Sequence, residues 1–161
     1  MIYFTSDLHF GDNRFPLFYR NYKSVEEQDN NLVELWNSKV TDKDTVICLG
    51  DFSYSKDGLE NASKLKGYKI LIRGNYDDQF TDELLVYFDK VYTDKIINIR
   101  GEKFYFNHYP ANGRSDMFNI VGHIHSLWKV QRNMINVGID AWQGLVSEDQ
   151  LFFTLNGIRK H

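Results

Sequence analysis

The polar residues able to do chemistry fall in five short groups: Asp7-Leu8-His9, Gly50-Asp51, Gly74-Asn75-Tyr76-Asp77, Asn107-His108 and Gly122-His123-Ile124-His125. Four of the five histidines lie in them, and the fifth, His161, is the last residue. Carboxylate, amide and imidazole together offer oxygen and nitrogen donors without thiolate, a set suited to divalent ions such as manganese, iron or zinc. Asp7, His9, Asp51, Asn75, His108, His123 and His125 are too many for one catalytic ion that keeps open positions. They suffice for two ions sharing one carboxylate, and ions roughly 3.5–4 Å apart suit in-line displacement at phosphorus. Taken singly, each group has a plainer explanation: a solvated loop for Asp-x-His, a turn for Gly-Asp, a histidine bonded to backbone for His108. Their conjunction carries the metal reading.

Each group follows a segment that reads as a strand. Buried strands are predicted at 2–5, 45–49 and 69–73. A hairpin is predicted from 96–99 and 103–106, turning at Arg100-Gly101-Glu102, with further strands at 119–121 and 134–137. If the backbone stays extended, Asp7 and His9 point to one side, and so do His123 and His125. Gly50, Gly74 and Gly122 permit sharp turns and close backbone approach. Between the first two strands Val25, Leu32, Leu35 and Trp36 recur at helical spacing behind a capping signal, Ser24 to Glu27. Shorter helices are predicted at 59–65, stopped by Gly67, and at 82–88. Ser147 and Gln150 signal a helix at 148–155 ended by Gly157, although the run Leu151-Phe152-Phe153-Thr154-Leu155 also fits a strand. Strand–helix alternation first and antiparallel strands later predict a mixed α/β fold.

The chain has 161 residues, 42% of them hydrophobic and 25% charged, which predicts one globular domain over 1–161. A net charge of -3 argues against a broad basic surface for nucleic acid. The single cysteine, Cys48, excludes an internal disulfide and suits a reducing compartment. No apolar run approaches a membrane span and no signal peptide is apparent, so a cytoplasmic protein is expected.

In this order the groups resemble the signature of the calcineurin-like metallophosphoesterase superfamily. The segments Thr5-Ser6-Asp7-Leu8-His9-Phe10-Gly11, Leu49-Gly50-Asp51-Phe52, Arg73-Gly74-Asn75, Asn107-His108-Tyr109-Pro110 and Asn136-Val137-Gly138 are similar to its small single-domain bacterial and phage members. The resemblance implies a four-layer α/β/β/α sandwich with two divalent ions above the strand ends, manganese favoured, with iron, zinc or nickel as alternatives. It implies Asp7, His9 and His125 around the first ion, Asn75, His108 and His123 around the second, and Asp51 bridging. A hydroxide between the ions would attack phosphorus opposite the leaving oxygen.

Relatives that act on monoesters carry His where this chain has Tyr76. A phenol titrates near ~10 and is a poorer general acid near neutrality, although it still donates a hydrogen bond. Asp77, which would orient that His, is left as a turn residue or helix cap. Related phosphodiesterases also replace the His, so the resemblance implies phosphodiester substrates, cyclic nucleotides, RNA 2′,3′-cyclic ends or a short oligonucleotide among them. A nucleotide phosphomonoesterase or pyrophosphatase is the alternative, and a protein-interaction module on the same fold is a third. Asn13 is a candidate substrate contact or helix start. Arg14, Arg73 and Arg114 are candidate phosphate clamps, with Arg114 foremost because it lies in the loop after His108.

Overall fold

The computed structural model describes residues 1–160; His161 lies outside them. In chain order the strands are β1 (Ile2–Thr5), β2 (Thr45–Cys48), β3 (Tyr68–Ile72), β4 (Lys90–Tyr92), β5 (Asp94–Ile99), β6 (Glu102–Asn107), β7 (Phe118–Val121), β8 (Val130–Gln131), β9 (Met134–Asn136) and β10 (Val146–Ser147). The helices are α1 (Phe15–Arg20), α2 (Val25–Asn37), α3 (Lys56–Leu59), α4 (Leu84–Tyr87), α5 (Ile139–Trp142) and α6 (Glu148–Lys160), with short 3-10 turns at Glu60–Lys64, Asp77–Phe80 and Pro110–Asn112.

Two five-stranded sheets, ordered β10-β1-β2-β3-β4 and β5-β6-β7-β9-β8, are flanked by helices. Strand alternation divides the side chains between two cores. Phe4, Ile47, Leu49 and Ile72 of the first sheet meet Phe104, Phe106, Ile120 and Ile135 of the second. Their intervening neighbours Val46, Cys48 and Leu71 face the other way, against Leu32 and Trp36 of α2 and Leu59, Ala62 and Leu84. The inner strands β1, β2 and β3 are covered on both faces, which is why they read as continuous apolar runs.

The first sheet is parallel from β1 through β4. The later strands are not simply antiparallel as expected: in the second sheet β6–β7 and β7–β9 also run parallel, with β5–β6 and β8–β9 antiparallel, while β10 joins the first sheet antiparallel to β1. Those parallel crossovers have a consequence. They bring the ends of β6 and β7 to the same edge of the sandwich as the ends of β1 and β2, where Gly122 N–H donates to the His108 carbonyl at 3.1 Å and His123 N–H to Asp7 Oδ2 at 2.9 Å.

Ser24 caps α2 by accepting from Glu27 N–H at 3.0 Å, while Glu27 reaches back to Lys23 N–H at 2.8 Å. Ser147 and Gln150 form a reciprocal capping box on α6, settling that segment as a helix. Gly157 does not end it. Ile158 packs against the inter-sheet core and Arg159 pairs with Glu102 at 2.6 Å, so tertiary contacts carry the helix through to Lys160. The hairpin turn lies where expected, with Arg100 and Gly101 both at positive φ, as a two-residue turn matched to strand twist requires. The helix expected at 59–65 instead begins at Lys56, where Ser55 caps Gly58 N–H, and tightens into 3-10 geometry; that at 82–88 contracts to α4.

Candidate metal centre

The site is built on the continuations of β1 and β2. Past the strands the two segments stay paired: Asp7 N–H donates to the Gly50 carbonyl at 2.9 Å and His9 N–H to the Asp51 carbonyl at 3.1 Å. The backbone is not extended there, contrary to expectation. Asp7, His9, Asp51, His123 and His125 all have φ between 50° and 75°. Aspartate and histidine tolerate this left-handed region better than most residues, yet each such residue still costs roughly 1–3 kcal/mol and persists only where its surroundings over-determine it. Gly50 lies at φ 100°, where a side chain would meet the His108 ring and the Gly74 backbone.

Two clusters result. Asp7, His9 and His125 present ligand atoms within 4.8 Å of one another, and so do Asp51, His108 and His123. Asp7 and His9 stay together as expected, but His123 and His125 separate, one to each cluster. Asp51 Oδ2 lies 3.3 Å from His108 Nε2 and 3.8 Å from His9 Nε2, touching both groups. A cavity of about 350 Å³ opens over them, lined by His9, Asp12, Arg14, Asp51, Asn75, Tyr76, His123 and His125.

Hydrogen bonds fix the rings. His9 Nδ1–H donates to Asp12 at 3.1 Å and His125 Nδ1–H to Asp140 at 2.7 Å, while His108 Nδ1–H donates to the Leu49 carbonyl. A carbonyl or ionised carboxylate only accepts, so the Nδ1 of each ring carries a proton and Nε2 is the ring nitrogen turned away from these partners. Asp140 is driven to about 2: burial alone would raise it, but bonds from His125 and Arg20 outweigh that. Burial would lower His108, yet the Asp51 contact, the charges of Asp7 and Asp51 and the Leu49 carbonyl lift it to about 9.

The donors fit metal ions. Among the described residues, five buried side-chain atoms lack a hydrogen-bond partner, and three are Asp7 Oδ1, His9 Nε2 and His108 Nε2, all within these clusters. Unpaired buried polar atoms are costly, and a divalent ion in each cluster would satisfy them.

The other expected site residues are placed as follows. Asn75 is exposed on the cavity wall and Tyr76 lines it. Asp77 does not face the cavity. It is fully buried and accepts from Asp51 N–H at 2.7 Å, Gly74 N–H at 2.8 Å and Phe52 N–H at 3.0 Å, thereby shaping the loop that carries Asp51. Burial lifts its carboxyl to about 7 against the pull of those donors. Asn13 is exposed and Arg14, not Asn13, occupies the residue before α1. Arg114 is absent from the cavity wall: its guanidinium grips Asp116 at 2.8–2.9 Å and lies over Tyr105, because the loop after His108 folds back on β7 through Asn119. Sequence reasoning missed Arg20 and Asp140. Arg20 ties the Asp7 and Leu8 carbonyls to Asp140, 120 residues away, a link with no local signal. Asp12, three residues after His9, was visible but had no assigned work.

A model of the family described as "Calcineurin-like phosphoesterase" matches residues 1–151. The chain belongs to the calcineurin-like phosphoesterase family. The chain is 32% identical, over an alignment of 197 positions, to the Gene 66 protein of Mycobacterium phage L5, covering 98% of this chain and 95% of that one. It is 31% identical to the uncharacterized protein MJ1445 of Methanocaldococcus jannaschii, covering 87% of this chain and 82% of that one. The fold is shared with the crystal structure of the protein of unknown function AQ665 from Aquifex aeolicus, at a TM-score of 0.76, 24% identity and coverage of 96% and 98%. Family and geometry together support a phosphoesterase with a dinuclear divalent metal site. Among the described residues no helix is long and apolar enough to cross a membrane.

Proposed function

We propose that this phosphoesterase hydrolyses phosphodiesters with two divalent ions, manganese favoured, in a reducing cytoplasmic setting. The observation that carries the reading is Asp51 Oδ2, which lies within 3.8 Å of the Nε2 atoms of His9 and His108 and so joins both clusters under one cavity. Asp7, His9 and His125 would hold the first ion, Asn75, His108 and His123 the second, and Asp51 both. Such a pair, when bound, lowers the pKa of water and neutralises phosphoryl oxygens.

The protein's own part is positioning. Asp12, Asp140 and the Leu49 carbonyl hold three imidazoles in one tautomer. Asp77 clamps the Asp51 and Gly74 loops through backbone. Tyr76, on the cavity wall, offers a phenol hydrogen bond where monoesterases of the family place an acid imidazole, which favours diesters, nucleotide-derived ones included. The test is a comparison of an aryl phosphodiester with the matching monoester, using metal-stripped protein reloaded with manganese. Faster diester cleavage, lost in Asp51→Asn, is expected. A clear monoester preference would sink the diesterase reading, and unchanged turnover in Asp51→Asn the bridging one.

A further inference from the structure

Arg14 stands beside the metal-binding side chains in the same cavity wall, which Arg73 and Arg114 do not. It is built into place. The Asp12 carboxylate, fully buried, accepts from Arg14 Nε at 3.0 Å and Nη2 at 2.9 Å, a two-pronged grip on one edge of the guanidinium. The plane of that group rests on the Tyr54 ring, with its central carbon 3.9 Å from the ring centroid and 5.2 Å from that of Tyr76. The two tyrosines pack edge to face at 5.8 Å. Asp12 Oδ2 also accepts from His9 Nδ1, so one carboxylate orients both a metal-binding imidazole and this arginine.

From this we infer that Arg14 is a substrate-binding residue of the site, its outer N–H groups receiving a non-bridging oxygen of the substrate phosphodiester. The inference rests on the phosphodiesterase reading above. Two features support it. A guanidinium offers five donors, of which Asp12 takes two along one edge and Tyr76 engages the group beside it, leaving further N–H groups for an anion. The contact with Tyr54 and the Asp12 grip hold the side chain beforehand, so little rotamer freedom is lost when an anion binds. Tyr54 acts here as a positioning residue, through Arg14.

The experiment uses manganese-loaded protein as wild type, Arg14→Ala, Arg14→Lys and Tyr54→Leu. Steady-state kinetics on bis(4-nitrophenyl) phosphate are read alongside calorimetric binding of inorganic phosphate and the metal content per chain. Losing charge-assisted hydrogen bonds should raise KM and weaken phosphate binding ~10–100-fold in Arg14→Ala, with kcat changed far less. Arg14→Lys should recover part of the loss, Tyr54→Leu should show a smaller shift in the same direction, and metal content should stay at the wild-type value throughout. Wild-type KM and phosphate affinity in Arg14→Ala would overturn the inference. So would a fall in its metal content, which would place the residue's effect on His9 through Asp12. Wild-type protein that turns over no diester would overturn the phosphodiesterase reading instead, and phosphate calorimetry would still decide Arg14.

Discussion

The two ligand clusters share Asp51 but are supported differently. Around Asp7, His9 and His125 the backing is ionic and buried: Asp12 behind His9, Asp140 behind His125, and Arg20 joining Asp140 to the Asp7 and Leu8 carbonyls at 2.6–2.8 Å. Around Asp51, His108 and His123 the two imidazoles have neutral partners, and the Asp77 carboxyl supports only the Asp51 backbone. His108 donates to a backbone carbonyl, and exposed His123 is held by edge-on ring contacts with His108 and Tyr109 at 5.1 and 5.0 Å. A carboxylate behind an imidazole raises its basicity as a ligand and locks its orientation, so the first cluster should bind its ion the more tightly and the second, nearer solvent, should exchange its ion first.

The sharpest way to break this comparison is Asp51→Asn, which removes the charge both clusters share. Turnover should fall by at least ~10²–10³-fold, with both ions weakened, as followed by diesterase rate and metal analysis. Asp140→Asn comes next. It should weaken the ion at Asp7, His9 and His125 ~10–100-fold and spare the other, read from competition with a graded chelator. Equal weakening at both clusters would refute their separation. In wild type the same titration should release one ion before the other, and metal-free protein should bind the first equivalent of manganese more tightly than the second. Simultaneous release would erase the proposed ranking. The smallest effect is a control. Gly157→Ala lies in an exposed helical turn with open space around its Cα, and should stabilise the fold by about 0.5–1 kcal/mol in thermal unfolding while leaving both ion affinities alone.

Much of the centre could be read before any fold was known, because its ligands cluster in short motifs directly after apolar strand runs. Strands 2–5, 45–48 and 68–72 announce themselves by buried aliphatic residues, and the caps at Ser24 and Ser147 by their side-chain chemistry. Short elements such as β4, β10 and α5, with three, two and four residues, carry too little periodicity to be seen. Choosing among Arg14, Arg73 and Arg114 also failed on sequence, since a guanidinium's neighbours depend on how its loop folds. Arg114 is drawn away by Asp116, two residues on.

Residue type and local spacing therefore established the donor inventory, the strand and helix framework and the family resemblance, all of which depend on neighbours within a few positions. How the donors divide into two groups, which carboxylate stands behind which imidazole, and which arginine borders the cavity depend on pairs far apart in the chain, such as His125 with Asp140 and Arg20 with Asp140. Those pairings follow from parallel crossovers and left-handed turns at the ligands, and neither leaves a periodic trace in the amino-acid order.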